Sequence, residues 1–241
     1  MTGIRLAGGG PVIPNFGHGN ACLVDNHWFC TSWARNHWGD ILQPALVQHI
    51  ELTLVAVGIG FGISFVLALC GFRYRLVDAP LASCTDFLYM IPSIAAFELL
   101  VPVTGLTVTT IEIPLVAYTL FILYRNIVVG LNGVSTEVLE SARGMGLTRL
   151  QIFLRVELPL AAPAILAGLR IATVSTISIA TVGAFLIHDG LGAPIFDALD
   201  QPDIFRTELL AAGGLTILLA LTADALLALV QRAVTPWSRL R

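Results

Sequence analysis

The sequence predicts an all-α integral membrane protein with about five transmembrane helices, its N-terminus outside and its C-terminus cytoplasmic. Three observations support this prediction. The mean hydropathy is +0.83 with only 12% charged residues, a composition that would aggregate in water unless lipid covered it. Several apolar stretches are long enough to cross a bilayer, and the arginines are distributed unevenly between the segments that join them.

The apolar stretches give the number of spans. A helix needs about 20 mostly apolar residues to cross the hydrocarbon. Four stretches satisfy this requirement: 50–71, 111–130, 161–187 and 209–230. A fifth stretch, 81–103, is weaker because it contains Asp86 and Glu98. It is counted as a span because the charges on its two sides require a crossing.

Arginine placement gives the orientation, since the chain has no lysine. Arginines lie in or beside the segments that follow the first, third and fifth spans: Arg73, Arg75, Arg125, Arg143, Arg149, Arg155, Arg232, Arg239 and Arg241. The positive-inside rule makes these segments cytoplasmic. The connection 188–208 carries five acidic residues against Arg206 alone and belongs outside. Arg5 and Arg35 run against this orientation but are outnumbered.

The N-terminal segment 1–45 is predicted to be extracytoplasmic or interfacial. Residues 1–20 are rich in Gly and are expected to be loosely ordered, and no apolar core of a cleavable signal peptide precedes the first span. Residues 22–49 carry three Trp and three His, a composition typical of an interfacial helix or a pair of turns. The spacing of their His, Cys and Asp residues matches no metal-ligand pattern, so no metal site is predicted.

The cysteines allow two interpretations. Cys22 and Cys30 fall on the predicted outer side, where an oxidising compartment permits a disulfide. Two cysteines eight residues apart give no framework, however. Four unpaired thiols are therefore the favoured interpretation.

Polar residues within the spans are candidates for function or pairing. Arg170 and Asp224 lie at similar depth and are predicted to pair. Glu98 lies nearer the outer face, where it either meets a cation or is solvated at the interface. Thr173 and Thr176 either pack against neighbouring helices or line a hydrated translocation path. The four-residue offset of Gly58 and Gly62 favours close helix approach.

The stretch ESARGMGLTRLQIFLRVELP, residues 140–159, is unusually polar for this chain. It predicts a cytoplasmic hairpin, residues 137–160, in which 137–143 and 148–156 form short helices. Thr148 is a plausible N-cap of the second helix, and Gly146 can adopt the positive φ that ends the first. Apolar residues are interleaved with the charges, as in a protein-docking element: Met145, Leu147, Leu150, Ile152 and Phe153. The alternative is a solvated loop that follows the positive-inside rule.

The spacing within this stretch resembles the cytoplasmic signature of the membrane subunits of ABC importers. That signature is Glu-Ala-Ala, three residues, Gly, nine residues, Ile, one residue and Leu-Pro. The matching positions are Glu140, Ser141, Ala142, Gly146, Val156, Leu158 and Pro159. Ser141 and Val156 depart from the pattern by small changes in volume. The resemblance implies that these residues couple the chain to an ATPase.

The resemblance covers roughly residues 45–238. The segments 90–105, 123–134, 168–186 and 225–236 resemble the glycine betaine, carnitine and choline permease family, particularly betaine/proline-type permeases of actinobacteria. This implies a type I ABC importer permease fold over 46–235, a cytoplasmic tail at 236–241, and import of osmoprotectants such as glycine betaine, choline, carnitine or proline betaine. Gly190, Leu191 and Gly192 also match, whereas Ile187, His188 and Asp189 replace the family's usual Gly-Ala-Gly.

The resemblance also implies partners. These are two ATP-binding subunits that carry ATP and Mg, a second permease copy or paralogue, and an extracytoplasmic substrate-binding protein, all at a bacterial cytoplasmic membrane. The chain has no catalytic motif, so no cofactor is expected on it. The spread arginines and a net charge of -3 argue against nucleic acid. A methionine-type importer is the alternative within this class, and a membrane scaffold or enzyme is the alternative outside it.

Overall fold

The computed structural model describes Cys22 and residues 26–237, so the predicted disorder of residues 1–20 lies outside the described residues. The described part is helical, with π-helical turns at Trp38–Leu42 and Phe153–Glu157. In chain order the helices are α1 (Thr31–Asn36), α2 (Gln43–Arg73), α3 (Arg75–Met90), α4 (Ser93–Thr104), α5 (Val108–Asn132), α6 (Thr136–Gly144), α7 (Arg149–Ile152), α8 (Leu158–Gly183), α9 (Gly192–Asp200) and α10 (Arg206–Val234).

Helices long and apolar enough to cross a membrane occur near the predicted positions. Four qualify as single helices in the described chain: Trp38–Arg73, Val108–Asn132, Arg149–Gly183 and Arg206–Val234. Helices α3 and α4 qualify together, but they are bent by 93°. The described chain therefore has the five predicted spans when this bent pair is counted as one.

The second span corrects the prediction of one helix over 81–103. Ile91 is extended, with φ −69° and ψ 126°, because the ring of Pro92 disfavours a helical conformation at the preceding residue. A new helix, α4, begins at Ser93. The carbonyl of Ile91 accepts a hydrogen bond of 2.6 Å from the hydroxyl of Tyr118, which satisfies one backbone group near the break.

Helix α5 lies at the centre of the helical assembly and packs against α2, α3 and α8. Three of its fully buried side chains form one wall of the main core: Leu123, Tyr124 and Ile127. Tyr124 also donates a hydrogen bond of 2.6 Å to the carboxylate of Asp78 on α3. The central helix is thus joined to its neighbours by both apolar and polar contacts.

Close approach of α2 to α5 occurs at Gly60, where an added Cβ would collide with Thr119. The predicted contacts at Gly58 and Gly62 were wrong, since a Cβ at either position has no heavy atom within 4 Å. The three glycines lie two residues apart, so Gly60 is on a different side of the helix from Gly58 and Gly62. Spacing alone did not tell which of them faces the core.

Two ion pairs join charged residues of different spans. Both guanidinium nitrogens Nε and Nη2 of Arg170 on α8 donate to the carboxylate of Asp224 on α10 at 2.8 Å, which confirms the predicted pair. Gln231 accepts a further hydrogen bond of 3.4 Å from the same guanidinium. Asp86 in the broken second span pairs with Arg125 on α5 at 2.5 Å. The cost of placing these charges near hydrocarbon is reduced by the pairing.

The N-terminal segment is bonded to the connection that precedes α10 and to the first turn of α10. Cys22 and Cys30 form a disulfide, which corrects the favoured interpretation of four free thiols. The backbone N–H of Cys30 donates to the Thr207 hydroxyl at 3.1 Å, and Asn26 donates to the Ile204 carbonyl at 2.9 Å. Folding brings the two cysteines together against this connection, a tertiary effect that their spacing does not reveal.

Candidate functional site

The cytoplasmic hairpin begins with α6, whose end is fixed by the turn at Gly146. Gly146 has φ +79°, which confirms the predicted left-handed conformation. Its N–H donates to the Arg143 carbonyl at 2.9 Å, and the N–H of Leu147 donates to the Ala142 carbonyl at 3.3 Å. These two bonds are the pair of a Schellman motif, so the turn satisfies the carbonyls that the helix end leaves free.

The start of the second arm is also fixed locally. The side chain of Thr148 accepts a hydrogen bond from the N–H of Gln151 at 3.4 Å, and Gln151 accepts one from the N–H of Thr148 at 2.8 Å. This reciprocal capping box confirms Thr148 as the N-cap. At the start of the first arm, hydrogen bonds from its own N–H and from the Ser135 hydroxyl lower the pKa of Glu137.

The second arm differs from the predicted short helix over 148–156. It continues through the π-helical turn Phe153–Glu157 into α8, so the arm and the fourth span form one run of helix. Pro159 lies in the first turn of α8 and lacks the N–H that would continue the regular pattern, which is consistent with a π-helical turn just before it. Movement of this arm would therefore be transmitted directly into the span.

The hairpin exposes part of its predicted apolar set and buries the rest. Met145 and Leu150 are 73% and 67% exposed, whereas Ile152 is buried. The motif that resembles the importer signature contains both exposed and enclosed residues. Glu140, Ser141 and Gly146 are exposed, Ala142 is buried, and Val156, Leu158 and Pro159 are half-buried at the junction with α8. The exposed surface of the hairpin therefore mixes polar and apolar side chains, as a protein interface does.

The predicted translocation residues are not brought together. Glu98 is exposed on α4. The hydroxyls of Thr173 and Thr176 donate to the carbonyls of Leu169 and Ala172 on their own helix, both at 2.8 Å. None of the three predicted residues lines the cavity found at the outer end of the chain. Their role in translocation stays a prediction.

That outer cavity has a volume of about 550 Å³ and lies between the outer ends of α2 and α5. Three carboxylates line it: Glu51 from α2, Glu112 from α5 and Asp189 from the connection before α9. Six apolar side chains form much of the remaining wall: Leu52, Val55, Ile59, Val108, Ile113 and Val116. The volume lies within the range of about 300–1,000 Å³ that is typical of small-molecule sites.

Sequence reasoning missed Glu51 and Glu112, although a signal was present. Both acids lie close to the N-terminal ends of predicted spans, and both of those spans enter the membrane from the outer side. Two acids at similar depth at the starts of parallel helices meet if the helices are neighbours. Only the structure gives that adjacency, because α2 and α5 are separated by the whole broken span.

His49 holds in place the connection that supplies Asp189 to the cavity. Its Nδ1 accepts a hydrogen bond of 3.2 Å from the N–H of Leu191, so Nε2 carries the proton and donates to the Ile177 carbonyl at 3.0 Å. The ring is fully buried and neutral in this arrangement. It joins the first span, the fourth span and the outer connection.

The Gly-Leu-Gly run of the outer connection has a steric basis. Gly190 has φ +68°, and a Cβ there would lie 2.8 Å from Nδ1 of His49. A Cβ on Gly192 would collide with the carbonyl of Thr181 at the end of α8. The N–H of Gly190 donates to Gln48 at 3.3 Å and to the carboxylate of the adjacent Asp189 at 3.0 Å. The glycines therefore let the connection approach the helices closely enough to place Asp189 at the cavity.

The helical architecture and the cytoplasmic hairpin define a class of multi-span membrane transport component. The chain belongs to the family of binding-protein-dependent transport system inner membrane components, whose model matches residues 56–236. Proteins of this class work with a substrate-binding protein and with ATP-binding subunits. The predicted location in a bacterial cytoplasmic membrane agrees with this family.

Particular relatives cover most of the chain. The choline transport system permease protein OpuBB of Bacillus subtilis (strain 168) is 31% identical over 199 residues, which are 82% of this chain and 90% of that protein. The glycine betaine/carnitine/choline transport system permease protein OpuCD of the same organism is 33% identical over 199 residues, which are 82% of this chain and 86% of that protein. The predicted resemblance to osmoprotectant permeases is thereby confirmed.

A solved structure confirms the fold. A chain of the MetNI methionine ABC transporter, in an inward-facing conformation, matches with a TM-score of 0.69 and 21% identity. The match covers 81% of this chain and 96% of that chain. The fold is therefore that of a type I ABC importer permease, and at this identity the likeness carries no information on the solute.

Proposed function

We propose that this chain is the membrane-spanning subunit of an ATP-driven importer of quaternary ammonium osmoprotectants. The observation that carries the proposal is that relatives named for choline, glycine betaine and carnitine transport match along most of both chains. In this function the chain itself binds no cofactor and performs no catalysis. ATP and Mg bind to separate subunits, and the solute is delivered by a separate binding protein.

The cytoplasmic hairpin is the element that we assign to coupling. Its tip presents the exposed Met145 and Leu150 beside Glu140, a mixture of apolar and charged groups that suits a groove on an ATP-binding subunit. The turn at Gly146 is rigid because both of its Schellman hydrogen bonds are made. Continuity of the second arm with α8 supports a direct mechanical path from the ATPase to the fourth span.

Reconstitution of the complete transporter tests this function. The chain, its partner permease if there is one, the ATP-binding subunits and the binding protein are placed in proteoliposomes, and ATP-dependent uptake of labelled solutes is measured. The proposal expects uptake of at least one of choline, glycine betaine, carnitine or proline betaine. Uptake of methionine or histidine with none of these four would overturn the osmoprotectant assignment and leave an importer of another solute.

A further inference from the structure

We propose that the outer cavity is a transit site for an organic cation, in which Glu51, Glu112 and Asp189 balance the charge of a quaternary ammonium group. The inference rests on the proposed function and adds to it a place and a set of residues. The three carboxylates come from three separate elements of the fold and line one concave volume of about 550 Å³. No arginine, lysine or histidine is among the described residues that line it.

Glu112 is a half-buried carboxylate of the cavity with one oxygen that the described residues leave unpartnered. Its Oε1 is closed off from solvent and has no hydrogen-bond partner among the described residues. A buried carboxylate oxygen without a partner is costly, and a cation in the cavity would offset that cost. The ring of His49 cannot supply the charge, because both of its nitrogens are committed to backbone groups in the neutral form.

The lining favours an organic cation over a metal ion. No group of three or more His, Cys, Asp or Glu in the described chain converges closely enough to hold a metal. A quaternary ammonium group has no N–H to donate, so it needs nearby negative charge and apolar contact for its methyl groups instead of directed hydrogen bonds. The cavity offers both, since aliphatic side chains such as Leu52, Val55 and Ile113 lie between its carboxylates.

The cavity suits weak and transient binding of a cation. None of its described lining residues is aromatic, so it lacks the ring faces that hold such cations tightly by cation–π attraction. A weak site can receive a cation from a binding protein and release it again. The charge of the cavity is therefore expected to affect uptake by the assembled transporter and to leave the affinity of the separate binding protein unchanged.

Uptake by isosteric variants is the first test. In the reconstituted complex, Glu112→Gln and Glu51→Gln are expected to lower choline uptake about tenfold at equal membrane level, because each removes a carboxylate from a partly enclosed site. Asp203→Asn is the matched control, since Asp203 is an exposed acid of the outer connection and does not line the cavity. Glu112→Asp, which keeps the charge, should recover part of the lost uptake.

A second measurement does not depend on transport. An apolar carbodiimide modifies buried carboxyl groups, and the rate of modification of Glu112 in the purified complex can be followed by mass spectrometry. Tetramethylammonium chloride is expected to slow this modification, whereas sodium chloride at the same ionic strength is not. Modification of the exposed Asp203 should respond to neither salt.

The possible outcomes distinguish failure of the proposed cation site from failure of the proposed function. Protection by tetramethylammonium in a complex that imports no quaternary amine would reject the proposed function and keep the cation site. Import that is equally insensitive to Glu112→Gln, Glu51→Gln and Asp203→Asn, with no protection, would reject the site and keep the function. Equal protection by sodium would also overturn the proposal, since the cavity would then prefer no organic cation.

Discussion

The outer and cytoplasmic ends of this chain are held together by different kinds of contact. At the outer end, His49 bonds to Ile177 and Leu191, residues far away in the sequence. In the cytoplasmic hairpin, the hydrogen bonds around Gly146 and Thr148 join near neighbours in the sequence. Long-range contacts enclose a concave volume suited to a small solute, whereas local contacts build a protruding unit suited to a protein partner.

The two ends also differ in charge. The outer connection is dominated by acids, and three carboxylates face the outer cavity. The cytoplasmic side carries most of the arginines, including three in the hairpin, and exposes apolar side chains between them. The same difference in charge that orients the chain in the membrane therefore also distinguishes the end suited to a solute from the end suited to a protein partner. The predictions that follow break one end while leaving the other intact.

The largest effect is expected from Gly146→Val. A β-branched residue at φ +79° is strained, by roughly 1–2 kcal/mol, which corresponds to about a tenfold effect. We expect uptake and co-purification of the ATP-binding subunits to fall about tenfold or more, at near-normal membrane level. Both are measured on the same membranes.

The matched control for this change is Gly144→Val. Gly144 also has free space for a Cβ but does not have a positive φ. The Gly144→Val variant should retain most of its uptake, because valine is no poorer a helix former than glycine. Equal losses in the two variants would mean that bulk in the hairpin matters and the left-handed turn does not.

The second prediction breaks the outer end. His49→Ala leaves the buried N–H of Leu191 without this partner, at about 1–3 kcal/mol, whereas the Ile177 carbonyl still accepts a hydrogen bond from the Thr181 hydroxyl. We expect a lower unfolding temperature for the purified protein and faster proteolysis in the outer connection. Co-purification with the ATPase should persist, because the hairpin is fixed locally.

His27→Ala serves as the control, since His27 is exposed near the same end. A change in stability there that equals the change in His49→Ala would remove the special role assigned to the buried ring.

The third prediction concerns the ion pair between α8 and α10. Arg170→Leu leaves Asp224 without its partner in an apolar span, where an isolated charge costs on the order of 2.5–3.5 kcal/mol. The amount of protein in the membrane should fall. The double variant Arg170→Leu with Asp224→Leu should restore it, since no charge remains. A double variant no better than the single one would show that the pair has a further role.

The smallest effect is expected at the disulfide. In denatured protein that has not been reduced, a maleimide should modify Cys70 and Cys84, and it should reach Cys22 and Cys30 only after reduction. Replacing both bonded cysteines by serine should lower stability only slightly, because Asn26 and Trp33 also hold this segment. Four reactive thiols before reduction would contradict the bond.

Local features were predictable from the sequence, and features that depend on which helices are neighbours were not. The turn at Gly146 and the cap at Thr148 depend on a few adjacent residues, and both were predicted. The break at Pro92 follows from a local rule, but the prediction of one span over 81–103 considered only its length and charges. The Cys22–Cys30 bond and the meeting of Glu51 with Glu112 required the tertiary arrangement.

The sidedness of the two ends is the claim on which the rest depends, and labelling of single cysteines tests it most directly. With Cys70 and Cys84 replaced by serine, the remaining native cysteines are bonded to each other. Asp200→Cys places a thiol at the exposed end of α9, and Met145→Cys places one at the hairpin tip. An impermeant maleimide applied to intact cells should label Asp200→Cys at once and Met145→Cys only after the membrane is opened. Labelling of both thiols in intact cells, or of Met145→Cys alone, would contradict the account.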